Sequence, residues 1–249
     1  MKVGLLCPRI RGNIQENQQQ ILRFAKKAAD EGAELVVLPE VAATGLINTH
    51  VPQNDYEIAE ELMGVLTSQW CSFAQEHAIH FAAGFFERDG DSIYDSAIMF
   101  DPTGEVLLHY RRMDSGWHST SASSIIYREG DRVVVKDTIL GRTAFLICGD
   151  LWNDAILTEL VMHKPNVVLY TFARSFDISS EESSDWTSEL AAYKQRWISL
   201  DASVLAVNLL GDGMHETSIG GAWALERGGN IQELVPILTE GYSVIDFYP

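Results

Sequence analysis

Residues 32–40 read "GAELVVLPE", and the run Leu35-Val36-Val37-Leu38 inside it decides the fold class. Apolar residues in unbroken succession leave no polar face. A strand of that pattern is buried on both sides, as when helices cover a sheet, whereas a half-exposed strand alternates. Pro39 closes the run and Glu40 follows it. Just upstream, "NIQENQQQILRFAKKAADEGAE" sets Ile14, Ile21, Leu22, Ala25, Ala28 and Ala29 at helical spacing, with Gly32 placed to end the helix. A helix feeding a doubly buried strand is the mark of an α/β protein.

The pattern returns farther along, where "DLWNDAILTELVMHK" reads as a helix and "NVVLYTF" as a strand, a weak echo that suggests two repeated α/β halves. Around these anchors the sequence predicts a strand at 2–7, a helix near 56–78 and a strand at 79–86. "SIYDSAIMFD" and "GEVLLHYR" flank the turn signal Asp101-Pro102-Thr103-Gly104 and form an antiparallel hairpin. "TAFLIC" is a further strand, a helix covers about 188–201, and strands lie near 203–209, 220–226 and 242–248. Residues 113–128 and 175–187 lack periodicity and are candidate lids, since structureless loops of this length are often functional. With no linker or low-complexity stretch, residues 1–249 read as a single domain.

The chain has 18 Lys+Arg against 35 Asp+Glu, a formal net charge of −17 that opposes nucleic acid and anionic membrane surfaces as partners. No window approaches the ~20 apolar residues of a spanning helix. The opening "MKVGLLCPRI" holds too short an apolar run for a secretory signal and reads as a first strand. Cys7, Cys71 and Cys148 are an odd, widely spaced set without a CxxC, which suggests neither a disulfide framework nor zinc. A reducing, cytoplasmic location is expected, with no cofactor or metal.

Three segments end an apolar strand with a reactive or charged residue: Glu40, Arg112 after "EVLLHYR", and Cys148 after "TAFLI". In open α/β sheets, ligand sites gather beyond the carboxyl ends of strands. The order strand, Cys148-Gly149, helix is expected to put the sulfur near a helix N-terminus, where backbone N–H groups favour a thiolate. Glu40 beside it in a closed pocket would take the thiol proton and pass it to a leaving amine. The bland alternatives are an inert buried cysteine and a solvated carboxylate. The histidines His109, His118 and His215 carry no cysteine-protease signature around Cys148, and a metal site from His109, Glu40 and Asp150 lacks ligand spacing.

"GAELVVLPE", "HYRRMD", "LICGDLW" and "VLAVNLLG…IGGAW" stand in the order and at about the spacing of the nitrilase, or carbon–nitrogen hydrolase, superfamily, and the chain resembles that family over nearly its whole length. The resemblance implies a four-layer α-β-β-α sandwich whose sheets pair on dimerisation, a homodimer or higher homo-oligomer, and a Glu-Lys-Cys catalytic set acting on a small-molecule amide or nitrile. Carried over by position, Glu40 is the proton shuttle, Cys148 the nucleophile and the Gly149 N–H an oxyanion donor. The lysine does not carry over: Tyr110-Arg111-Arg112 puts Arg112 in its place. A guanidinium has the donors for an oxyanion but a larger, differently aimed fork. A further auxiliary glutamate falls near Ser123 and is missing, while Asp150 supports the nucleophile's turn.

The reading is therefore an amidase working through a Cys148 thioester; the alternative is a catalytically silent relative with a ligand-binding or scaffold role. Candidate pocket walls are Trp117, Trp152, Tyr170, Phe172 and Trp186. Arg174, just past "LYTFA", pairs either with a substrate carboxylate or with Asp177 or Glu181 on the surface.

Overall fold

The computed structural model describes residues 1–175, 186–212 and 218–249. In chain order the first half holds β1 (Lys2–Cys7), β2 (Arg9–Ile10), α1 (Ile14–Asp30), β3 (Leu35–Val37), α2 (Pro52–Ile58), α3 (Val65–His77), β4 (His80–Asp89), β5 (Ser92–Phe100) and β6 (Val106–Arg111). The second holds β7 (Val135–Thr138), β8 (Gly141–Ile147), α4 (Asp154–Met162), β9 (Val167–Phe172), α5 (Trp186–Ser199), β10 (Ser203–Asn208), β11 (Leu210–Gly211), β12 (Ala222–Leu225), β13 (Ile231–Val235) and β14 (Gly241–Asp246).

Two six-stranded sheets form, ordered β14-β1-β3-β4-β5-β6 and β13-β12-β10-β9-β8-β7, while β2 and β11 pair separately. The echo in the sequence is a true repeat of topology. In each half three strands run parallel, β1-β3-β4 and β8-β9-β10, and an antiparallel hairpin extends them on one side. On the other side β14 adds antiparallel to β1 as β7 does to β8, so the C-terminal strand completes the N-terminal sheet.

The doubly buried run explains the layering. Leu35 and Val37 point into the core between the two sheets, where they join Leu5, Phe145, Ile147, Leu169 and Leu205. Val36 and Leu38 point the other way, onto Ile21, Phe24, Ala25 and Ala28 of α1 and Trp70 of α3. On the second sheet, Leu146, Val168 and Tyr170 meet Leu160 of α4 and Tyr193 and Trp197 of α5 in the same manner. Each sheet thus presents one face to its twin and one to helices. This is the expected α-β-β-α stack, but both sheets come from one chain, so the four layers need no partner to pair them.

Several element boundaries differ from the sequence reading. The helix expected over 56–78 is two helices, because Glu60 extends to pair with the end of β4: its N–H donates to Phe86 O and its carbonyl accepts from Arg88 N. Gly64 makes the restart possible, since a Cβ there would lie 1.9 Å from the Glu60 carboxylate. The helix expected from Asp150 starts only at Asp154, capped by Asn153, whose side chain accepts from Ala155 N and Ile156 N. Edge strands β7 and β13 were not expected; both are half-exposed and charged, so the apolar signal is weak. Among the described residues no helix is long and apolar enough to cross a membrane.

Candidate active site

Cys148 leaves β8 into a 3-10 turn, Cys148–Trp152, with φ of 42°. A non-glycine residue at positive φ is sterically costly and persists where surrounding structure holds it. The holding residue is Asp150, which is fully buried. Its Oδ2 accepts from Ile147 N at 3.0 Å and from the Tyr110 hydroxyl at 2.8 Å, and its Oδ1 accepts from Met113 N at 3.0 Å and Asp114 N at 2.8 Å. One carboxylate therefore ties the nucleophile's turn to the end of β6. Asp150 sits between opposing influences, with burial raising its pKa to about 6 against the lowering by those donors and Arg112. The sulfur starts a 3-10 turn and not α4, so the backbone of this turn takes the place expected of a helix N-terminus.

Glu40 follows β3 and is wholly buried. The loop that carries it lies flat on β4: Gly84 N donates to Pro39 O and Gly84 O accepts from Ala42 N. Only glycine permits this approach, because a Cβ on Gly84 would be 2.7 Å from Glu40 Cα and 2.8 Å from Val41 N. Burial raises the Glu40 pKa from 4.5 to about 8, the Cys148 thiol pushes it further the same way, and Arg112 opposes them.

The adjacent arginines at the end of β6 separate onto opposite faces, as strand geometry requires. Arg111 turns outward over the Tyr94 ring and is held by Glu87 and Asp89. Arg112 turns inward and is 4 % exposed. Its Nη1 donates to Glu40 Oε1 at 3.0 Å and to Asp95 Oδ2 at 3.2 Å, and its Nη2 donates to Asp114 Oδ1 at 3.2 Å. Burial works against the charge, but Glu40, Cys148 and Asp95 outweigh it and keep the guanidinium cationic. Gly149 completes the junction. A Cβ there would lie 2.2 Å from Asp114 Oδ1 and 2.5 Å from Arg112 Nη2, so the absence of a side chain lets the guanidinium sit directly against the residue after Cys148.

Glu40, Arg112, Cys148 and Gly149 are thus brought together, and the remaining candidates are dispersed. Phe172 is fully buried, stacked on Tyr170 and packed near Trp223, which makes it helix-side core and not a pocket wall. Tyr170 reaches the site from behind, donating its hydroxyl to Cys148 O at 2.9 Å. Trp117 is buried among Phe86, His118 and Tyr127. Trp152 is 40 % exposed, edge-on to Tyr193 with Arg196 over its ring. Trp186 packs against Tyr193 and Trp223.

Arg174 forks onto Glu189 of α5, with Nη2 3.0 Å from Oε2, so its guanidinium is already engaged by a carboxylate of this chain. Asp177, Glu181, His215 and most of the 175–187 loop lie outside the described residues. His109 pairs with Glu87 and stands apart from Glu40 and Asp150. Ser123 is exposed and accepts from Tyr127 N within a turn. Asp95 and Asp114 belong to the constellation and were not singled out from the sequence. Asp95 carries only a weak signal, an acid within the largely apolar strand "IYDSAIMF", beside Ser96.

A two-sheet α-β-β-α stack with a strand-end cysteine beside a buried glutamate–arginine pair defines a class of thiol site, and comparison with known proteins gives the class its family. The carbon–nitrogen hydrolase family model matches residues 2–209, and the chain belongs to that family. A nitrilase from Pyrococcus abyssi (strain GE5 / Orsay) is 27 % identical over 181 residues, 69 % of this chain and 67 % of that one. A formamidase from Helicobacter acinonychis (strain Sheeba) is 24 % identical over 204 residues, 80 % of this chain and 58 % of that one. The chain therefore spans about three fifths to two thirds of the length of these curated relatives. Among solved structures, a mutant amidase from Nesterenkonia sp. AN1 showing Michael addition of acrylamide at the active-site cysteine superposes with a TM-score of 0.80, at 19 % identity, covering 99 % of this chain and 93 % of that one.

Proposed function

We propose that the protein is a thiol hydrolase that cleaves a non-peptide C–N bond of a small amide through a Cys148 thioester. The observation that supports this most is the Glu40–Arg112 ion pair, sealed from solvent and set against the Cys148-Gly149 turn. Glu40, as carboxylate, takes the thiol proton, and the thiolate attacks the amide carbon. The oxyanion is held by the Gly149 N–H and by Arg112, whose Nη2 borders that glycine and which stays charged throughout. Collapse expels the amine with the proton from Glu40. Glu40 then deprotonates a water that attacks the thioester, releasing acid and thiol. Arginine in place of lysine fits a site that holds its cation among three carboxyl groups, because one planar fork reaches all of them.

Relatives named both nitrilase and formamidase stand beside the chain, and the amide reading draws its support from the formamidase and from a superposed structure named an amidase. Incubation with a library of small aliphatic amides, followed by intact-mass analysis, should trap an acyl adduct on Cys148. A Cys148 that forms no adduct and also resists mild alkylation would overturn the reading.

A further inference from the structure

Two buried carboxyls converge on one nitrogen in this site. Arg112 Nη1 donates to Glu40 Oε1 and to Asp95 Oδ2, which leaves each carboxyl with a second oxygen. Those second oxygens, Glu40 Oε2 and Asp95 Oδ1, are shielded from solvent and receive no N–H or O–H donor among the described residues. Both residues are essentially unexposed. Two ionised carboxylates cannot comfortably share one guanidinium in a dry site, and an orphaned carboxylate oxygen is costly. A single proton shared by the two carboxyls answers both difficulties. It supplies the missing donor, occupies the missing acceptor, and leaves one negative charge against one guanidinium.

We propose that Asp95 is a neutral carboxylic acid that donates its proton as a hydrogen bond to Glu40, and so is the positioning residue that allows Glu40 to be ionised inside the closed site. This rests on the reading of Glu40 as the base. The surrounding charges agree. Burial and the neighbouring Glu40 both drive the Asp95 pKa well above its usual value, while a hydrogen bond from Asp95 lowers that of Glu40. The other groups facing the pair are Arg112 just past β6, Cys148 just past β8, Asp114 and Asp150 beyond Arg112, and Tyr170 from β9. The Tyr170 phenol is itself raised by burial and stays neutral.

The test reads the proton directly. At a pH of about 9, above the Glu40 titration at about 8 and that of Asp150 at about 6, the infrared carbonyl-stretch band of a protonated carboxylic acid should appear in the wild type. It should vanish in D95N, where Glu40 is left as the one carboxylate beside Arg112. The second reading is the rate of Cys148 alkylation by iodoacetamide against pH. D95N keeps a donor toward Glu40 and should hold the midpoint, whereas D95L removes the donor and should raise it by about one pH unit. An ionised Asp95 would give the opposite sign, with both variants lowering the midpoint, and no difference band between wild type and D95N. Either result overturns the proposal. A Cys148 inert to iodoacetamide counts against the hydrolase reading alone, and the infrared band, which needs no turnover, then decides this one.

Discussion

Cys7 is the last residue of β1 and Cys148 the first beyond β8, so both stand at the close of the first parallel strand of their half, yet their surroundings make them different chemical groups. Cys7 is fully buried; its thiol donates to Asn208 O and its sulfur accepts from Gly221 N. Burial lifts its pKa to about 12, so it stays a thiol at any working pH. The chain runs on from Cys7 in extended form into β2, whereas Cys148 is bent into positive φ at the head of a 3-10 turn. The second difference is company. Around Cys148 stand a buried guanidinium, a buried glutamate and a glycine that admits both, and the first half supplies two of those three groups. Strand-end position sets where a reactive group can sit, but the approach of the opposite half sets whether it reacts.

The sharpest way to break the contrast is to remove one thiol at a time. Cys148→Ala should lower amide turnover by on the order of 10⁴-fold or more, as loss of a covalent nucleophile does elsewhere. Cys7→Ala should leave turnover within a few-fold. Intact-mass analysis after brief iodoacetamide treatment of the native protein should show the label on Cys148 and none on Cys7. A labelled Cys7 would mean that the two strand ends are not distinguished by burial.

Arg112 carries the next largest effect. Arg112→Ala would leave Glu40 and Asp95 buried around a vacated cation, and breaking a buried ion pair in this way costs about 3–5 kcal/mol. Arg112→Lys puts one ammonium where three carboxyl groups are spread around a fork, so it should lower turnover by roughly 10²-fold while costing less stability. Melting temperature and turnover measured on both variants separate the structural share from the catalytic share. A lysine variant more active than wild type would show that the fork is a handicap for oxyanion binding.

The pH dependence follows from Glu40. Because its folded pKa lies at about 8, above the ordinary 4.5, only the ionised fraction can accept the thiol proton, and turnover should rise with pH through about 8. Stability moves the other way. A carboxyl whose folded pKa is raised contributes stability fully below 4.5 and loses it as pH climbs through about 8. Thermal unfolding from pH 5 to 9 should therefore show a decline that Glu40→Gln flattens. A decline of equal size in the glutamine variant would place the titration elsewhere.

What the sequence disclosed follows from how local each signal is. Glu40, Arg112 and Cys148 each end an apolar run, and each sits in a motif, so linear reading finds them. The helix–strand echo was enough to suggest two halves because Val36 and Val168 are buried by the same geometry. Asp95 and Asp114 escaped because their meaning is a matter of register: Arg112 N bonds to Asp95 O only once β5 and β6 are aligned. Gly84 was equally silent, since its role depends on a loop that comes from elsewhere in the chain. The residues offered as pocket walls depend on placement in the same way. Phe172 continues an unbroken buried strand, and only three-dimensional placement says which face each residue takes.

The smallest effect tests the second strand of each half. Glu40 follows β3 and Arg174 follows the equivalent β9, so each half carries a charged residue of opposite sign just past its second parallel strand. Glu40 is buried with its cation supplied from another strand, whereas Arg174 is held by Glu189 of the helix that succeeds it, with 41 % of the arginine side chain exposed. Solvent screens such a pair, so Glu189→Gln should cost no more than about 1 kcal/mol of stability. If Arg174 is purely structural, the variant should also leave the KM for neutral amides unchanged. If releasing the fork turns Arg174 toward the site, KM for amides bearing a distal carboxylate should fall while that for neutral amides stays fixed. Comparing the two substrate series in one variant thus tells whether the charge just past β9 has a latent counterpart of the role proposed for Glu40 just past β3.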